Sequence, residues 1–144
     1  MRFNRISVLA LALGAGVVLA GAGFAADPSQ REATMKQVSH AYKKLIALSR
    51  NGTFDAATNQ ENAAKITAAL DQFKDMFPAG SEKADDKAGP NIWTDRAGFD
   101  TARTNAYDAA LAVSKATDLA GFQSSFKTLA GTCKACHDKY RLSD

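Results

Sequence analysis

The stretch FQSSFKTLAGTCKACHDKY, residues 122–140, carries two patterns at once. Phe122, Phe126, Leu129, Cys133, Cys136 and Tyr140 recur at alternating steps of four and three, which is one face of a helix packed in a bundle seam. Within that face lies Cys133-Lys134-Ala135-Cys136-His137, the Cys-x-x-Cys-His pattern of covalent haem attachment. The chemistry explains the spacing. Two thiols add across the two vinyl groups of the porphyrin, and the histidine that follows is placed under the iron as an axial ligand. Both cysteines of the chain and one of its two histidines are used here.

Other readings of two cysteines fit less well. A thiol–disulfide redox pair expects a βαβ setting, and this sequence has no strand pattern. A structural zinc ion wants four ligands. Beyond Cys133, Cys136 and His137 only His40 and carboxylates remain, and His40 is far away in sequence. Two buried cysteines followed by a histidine by chance is the remaining alternative.

The N-terminus reads as a targeting segment, residues 1–25. Arg2 and Arg5 form a positive region, Ile6 to Ala20 is apolar, and Gly23-Phe24-Ala25 ends it with small residues at the two positions a signal peptidase reads. As an uncleaved anchor the run is short, since a spanning helix needs about 20 residues. Export to the periplasm agrees with covalent haem attachment, which takes place outside the bacterial cytoplasm. Without Arg2 and Arg5 the formal net charge of +3 becomes near neutral. No basic stripe with interleaved aromatics appears, so nucleic acid is not an expected partner. Residues 26–144 suffice for one domain with one core.

That domain reads as four amphipathic helices. Asp27-Pro28-Ser29-Gln30 is a start signal with Gln30 closing a capping box, and Gly52 is a stop. Met35, Val38, Tyr42 and Leu45 form the first stripe. Ala63, Ile66, Leu70, Phe73 and Phe77 form the second, which starts near Asp55 and ends at Pro78. After a Gly-, Pro- and Asp-rich crossover to Asn91, the third starts around Ile92 to Asp95 and carries Phe99, Ala102, Ala106, Ala110 and Val113. Asp118 caps the fourth. The fold expected is all-α, an antiparallel four-helix bundle holding a covalently bound haem near the C-terminal end of its last helix.

His137 has only seven residues after it, none of them Met or His, so a second axial ligand must come from upstream. Met35, Met76 and His40 are the candidates. Met35 lies on the apolar stripe of the first helix, and His40 points about 140° away from it. For Met35 the alternative is plain core packing, and for His40 a surface position.

These features together resemble the class II cytochromes c, the cytochrome c′ group. The resemblance rests on Arg31-x-x-x-Met35-Lys36, Asn91-Ile92-Trp93 and Cys133-Lys134-Ala135-Cys136-His137-Asp138-Lys139-Tyr140-Arg141, and spans essentially all of residues 26–144. It implies one haem c per chain on Cys133 and Cys136, with His137 as proximal ligand and Met35 at the distal position. It implies Arg31 near the haem propionates, Arg141 near the proximal histidine and Trp93 packing near the haem. Read without the resemblance, Arg31 and Arg141 are solvated helix-end charges. Members of this group with a ligating methionine are electron carriers. Those with an apolar, non-ligating distal residue are five-coordinate and bind NO or CO. Relatives also often dimerise through their first two helices, so a homodimer is consistent with the resemblance.

Two functions follow. The first is a periplasmic electron carrier serving redox partner proteins, with no enzymatic role, since no acid–base constellation adjoins the motif. The second is a five-coordinate protein that binds NO or CO, for gas binding or NO detoxification. A thiol–disulfide enzyme using free Cys133 and Cys136 is the reading from a different class.

Overall fold

The computed structural model describes residues 27–83 and 87–143, so the expected signal segment, residues 1–25, lies outside the described residues. The chain forms α1 (Pro28–Arg50), α2 (Ala56–Phe73), a single turn α3 (Asn91–Thr94), α4 (Arg96–Ser114) and α5 (Leu119–Tyr140). Each long helix opens on an aspartate whose side chain accepts a first-turn backbone N–H: Asp27 from Ser29, Asp55 from Thr58, Asp95 from Gly98 and Asp118 from Gly121. Asp27 takes both its bonds from Ser29, through the backbone and the hydroxyl, so its side chain is satisfied two residues along the chain. After α1, Gly52 takes φ +72°, the left-handed stop expected there.

Two expectations are corrected. The second helix ends at Phe73, not at Pro78. Lys74, Asp75 and Met76 donate to carbonyls three residues back, a tightening that unwinds the helix, and Phe77 leaves it while remaining buried. The third segment is broken at Asp95, whose φ and ψ of −127° and 56° close α3 before its side chain restarts the chain as α4.

The four long helices make an antiparallel bundle in chain order α1, α2, α4, α5. Asn59 of α2 donates to the Val113 carbonyl at 2.7 Å, and Arg96 of α4 to the Lys74 carbonyl at 2.6 Å, so α2 and α4 run in opposite senses over their whole length. Leu45, Ile66, Val113, Phe122 and Leu129 are fully buried between the helices. A second cluster at the other end is built from rings: Phe99 meets Phe77 and Tyr140 edge-on at centroid distances of 5.1 and 5.4 Å.

The last turn of α5 has carbonyls with no partner inside the helix, and the crossover supplies donors. Gly89 N–H bonds the Tyr140 carbonyl at 2.8 Å and the Asn91 amide bonds the Lys139 carbonyl at 3.0 Å. Leu142 N–H returns a bond to the Lys87 carbonyl at 2.9 Å. Beside them Asp95 accepts from the Tyr140 hydroxyl at 3.0 Å and the Lys139 ammonium at 2.6 Å. Lys139 first and Tyr140 second hold the Asp95 carboxyl below its usual range, and Asp95 holds the Lys139 ammonium above its own.

Two outcomes follow at this clasp. Gly98→Ala would gain about 1 kcal/mol of helix propensity. Its Cβ would meet the Asp95 carboxylate and lie 2.5 Å from the Tyr140 hydroxyl, so a net loss of about 1–3 kcal/mol is expected in denaturant titration. Asp95→Asn keeps a good N-cap but loses the anion. Because the folded Asp95 pKa is depressed, its contribution is present above pH 3.8 and lost as pH falls through the folded value. The melting difference between wild type and Asp95→Asn should therefore be steady from neutral pH down to the carboxylate range and close below it.

Candidate haem site

Tyr42 of α1 and Phe126 of α5 lie 5.0 Å apart, centroid to centroid, and Gln123 of α5 reaches the Ser49 carbonyl at 3.4 Å. These contacts join α1 and α5 toward one end of the bundle. One heptad further along each antiparallel helix stand Met35 and Cys133. Eleven residues along stand Arg31 and His137. Eleven residues is three turns, within about 20° of the starting direction. His137 therefore leaves α5 on the flank that faces α1, and Met35 lies at the same end on the flank of α1 that faces α5.

The burial pattern differs between the centre of the bundle and this seam. On α1, Ala41 and Leu45 are buried, while Met35, Val38 and Tyr42 are only half covered. On α5, Leu129 is buried, while Phe126, Cys133 and Cys136 are half covered and His137 is exposed. Cys133 borders the larger core cluster and Cys136 the ring cluster, so the two thiols stand where the two clusters meet. Both are unpaired, and burial raises both thiols, that of Cys136 to about 11. Tyr42 is raised too, by burial first and by Cys133 second, a sign of how near α1 lies to the thiols. His137 is lowered, by desolvation first and the Arg141 cation second, against Asp138, which favours the neutral imidazole that binds metals.

The donor set fits a haem. Two adjacent thiols, a neutral imidazole one residue on and a facing thioether lie along a seam of half-covered apolar side chains. That is the chemistry of thioether attachment with nitrogen and sulfur axial ligands. The setting is helical throughout, unlike the βαβ context of a thiol–disulfide motif. His40 does not join these groups. It is exposed and lines a groove between α1 and α2 with Gln37, Lys44 and Lys65, on the other side of α1. Met76 borders the ring cluster with Cys136.

Arg31 is not the solvated helix-end charge that its type suggests. It is 3% exposed. Its Nε donates to the Met76 carbonyl at 2.8 Å and its Nη2 to the Ser81 hydroxyl at 2.7 Å. The guanidinium lies over the rings of Phe77 and Trp93, at 4.5 and 5.5 Å from their centroids. Trp93 packs edge-on against Phe77 and donates its indole N–H to the Pro78 carbonyl at 3.1 Å, the packing role expected of it. Arg141 is exposed, caps α5 by donating its N–H to the His137 carbonyl, and pairs with Ala88 in an isolated antiparallel bridge. Ser81, Gly89, Asp95 and Tyr140, which fix the surroundings of the site, carried no signal in the sequence beyond the caps and the stripe.

Residues 28–141 match the family described as Cytochrome C'. Cytochrome c′ of Rhodopseudomonas palustris is 34% identical over 140 residues, covering 92% of this chain and 96% of that protein. Its solved structure superposes with a TM-score of 0.72 over 81% of this chain and 95% of that one. Cytochrome c-556 of Agrobacterium fabrum is 35% identical over 146 residues, covering 96% of this chain and 97% of that protein. A variant of cytochrome c′ from Alcaligenes xylosoxidans, solved as its nitric oxide complex, superposes with a TM-score of 0.73 at 25% identity, over 83% of this chain and 98% of that one.

Arg31→Ala strands the Met76 carbonyl and removes a cation from two rings, so a loss of about 2–4 kcal/mol is expected in denaturant unfolding. Arg31→Lys should recover little of it, because an ammonium cannot present the same planar fork. In the chain without haem, Cys136 should react with iodoacetamide at neutral pH about a hundredfold more slowly than an exposed cysteine, because its thiolate fraction is that much smaller.

Proposed function

The chain belongs to the cytochrome c′ family, and from that premise we propose that it is a periplasmic electron carrier rather than an enzyme. It is a c-type cytochrome, and haem c supplies one-electron Fe(III)/Fe(II) chemistry when bound. Cys133 and Cys136 would hold it through two thioethers, and His137 and Met35 would offer a nitrogen and a sulfur donor to its iron. The observation that carries the assignment is that Met35 and His137 are set on facing flanks of α1 and α5, at the end of the seam where both cysteines lie.

The surrounding residues suit that role. Arg31 fixes the first turn of α1 to the crossover, so Met35, one turn later, is presented from a rigid helix. Asp95, Gly89 and Asn91 fix the last turn of α5 and with it the direction of His137. Two donors held by packed helices change little in position when charge on the metal changes, which favours rapid electron exchange. The Arg141 cation beside His137 disfavours the more positive oxidised state and supports a higher potential. Export is supported by the leader-like residues 1–25. No helix among the described residues is long and apolar enough to cross a membrane.

A second reading, with Met35 beside the iron but not bound to it, is supported by the solved nitric oxide complex of a relative. In that case NO or CO is the ligand. The oxidised and reduced absorption spectra separate the two. A low-spin spectrum with a sulfur-to-iron charge-transfer band is expected. A high-spin ferrous form that takes up CO would replace the carrier with the gas binder. Met35→Ala should convert the low-spin protein to high-spin, and an unchanged spectrum would remove Met35 as a ligand and leave Met76 to be tested in the same way.

A further inference from the structure

Charge is distributed unevenly around the bundle. On α1 and its N-cap, the exposed Lys36, Lys43, Lys44 and Arg50 stand against Asp27 and Glu32. On α5 and its two caps, Lys127, Lys134, Lys139 and Arg141 stand against Asp118 and Asp138. The other two helices lack this excess. Asp55, Glu61, Asp71 and Asp75 outnumber Lys65 and Lys74 around α2, and Asp95, Asp100 and Asp108 balance Arg96, Arg103 and Lys115 around α4. The chain as a whole is close to neutral once residues 1–25 are set aside, so composition hides this segregation.

The positive pair of helices is also the pair that flanks the haem seam. Lys127 and Lys134 lie on the outer side of the α5 flank that carries Phe126 and His137, and Lys36 and Lys43 lie on the exposed back of α1. Lys43 and Lys127 have no ion-pair partner among the described residues. Lys36 and Lys134 pair only with Glu32 and Asp138 one turn away, in contacts exposed enough to be exchanged for others. The faces are separated by about a helix diameter, comparable with the screening length of about 8–10 Å at physiological salt. A partner on one face therefore feels that face rather than the net charge.

We infer that the α1–α5 face is a docking surface for the acidic face of a small redox protein, which it steers onto the haem seam. The inference rests on the carrier reading for its purpose, and on charge placement alone for its binding. A partner carrying Asp and Glu around its own redox centre would meet Lys36, Lys43, Lys127 and Lys134 at close range. It would be turned away by the acidic α2 side. Orientation of this kind raises the encounter rate without requiring tight binding.

The test uses the haem-loaded protein and probes of known charge. Oxidation of the ferrous protein by ferricyanide should fall about tenfold or more between low and high salt, while oxidation by the cationic tris(phenanthroline)cobalt(III) should not fall. Lys43→Glu/Lys127→Glu/Lys134→Glu should slow ferricyanide about tenfold at low salt. Lys65→Glu/Lys74→Glu/Lys115→Glu, with the same change of net charge on the other faces, should alter it less than about twofold. Equal effects of the two variants would overturn the docking surface. Poly-glutamate, added to the holoprotein at low salt, should shift backbone amide resonances of α1 and α5. Shifts spread over all faces, or binding to phosphatidylglycerol vesicles without binding to poly-glutamate, would also overturn it. A protein that exchanges electrons with neither reagent, yet binds poly-glutamate on α1 and α5, would overturn the carrier reading and uphold the docking surface.

Discussion

Tyr42 against Phe126 is the contact on which the site depends. Every other pair of neighbouring long helices is joined along its length, but α1 and α5 meet through this ring pair and the Gln123–Ser49 bond above it. A flat group of porphyrin size can stand between two helices only where they do not pack on each other. It can be held tightly only if they converge somewhere. The ring pair supplies the convergence. Below it the half-covered flanks of Met35 and Val38 on one side and Cys133 and Cys136 on the other are left to face something other than themselves.

A seam open at one end needs another means of holding its two walls, and the crossover between α2 and α4 provides it. Arg31 ties α1 to Met76 and Ser81 at the start of that segment, with its cation on Phe77 and Trp93. Gly89 and Asn91, near its end, tie down the last turn of α5. Both walls are therefore referenced to the same connection between α2 and α4. The ring cluster of Phe77, Ile92, Phe99 and Tyr140 is the apolar counterpart of those hydrogen bonds.

The helical stripes and the haem motif were legible in the sequence because both depend on short-range periodicity. Phe122, Leu129 and Tyr140 recur at bundle spacing and are buried, and the aspartates that start helices lie where their N-caps were expected. What could not be read locally differed in kind. Phe77 continues the spacing of α2 although the helix has ended, since a turn that keeps its apolar residue inward looks like another turn of helix. Arg31 has the composition of a surface residue. Its burial depends on a carbonyl 45 residues away and a hydroxyl 50 residues away, and neither announces itself. The seam itself follows from which stripe residues stay half covered, and that is a property of all four helices together.

The chain-order arrangement of the helices bears on how the protein comes together. α1 with α2, α2 with α4 and α4 with α5 are each neighbours in sequence as well as in space, so these pairs form by closing short or moderate loops. Tyr42 with Phe126 closes a loop of more than eighty residues. Because loop-closure entropy rises with separation and long-range contacts slow folding, the α1–α5 meeting is the last to be rewarded as the bundle assembles. The wall that must admit the haem is thus the one that topology leaves open longest.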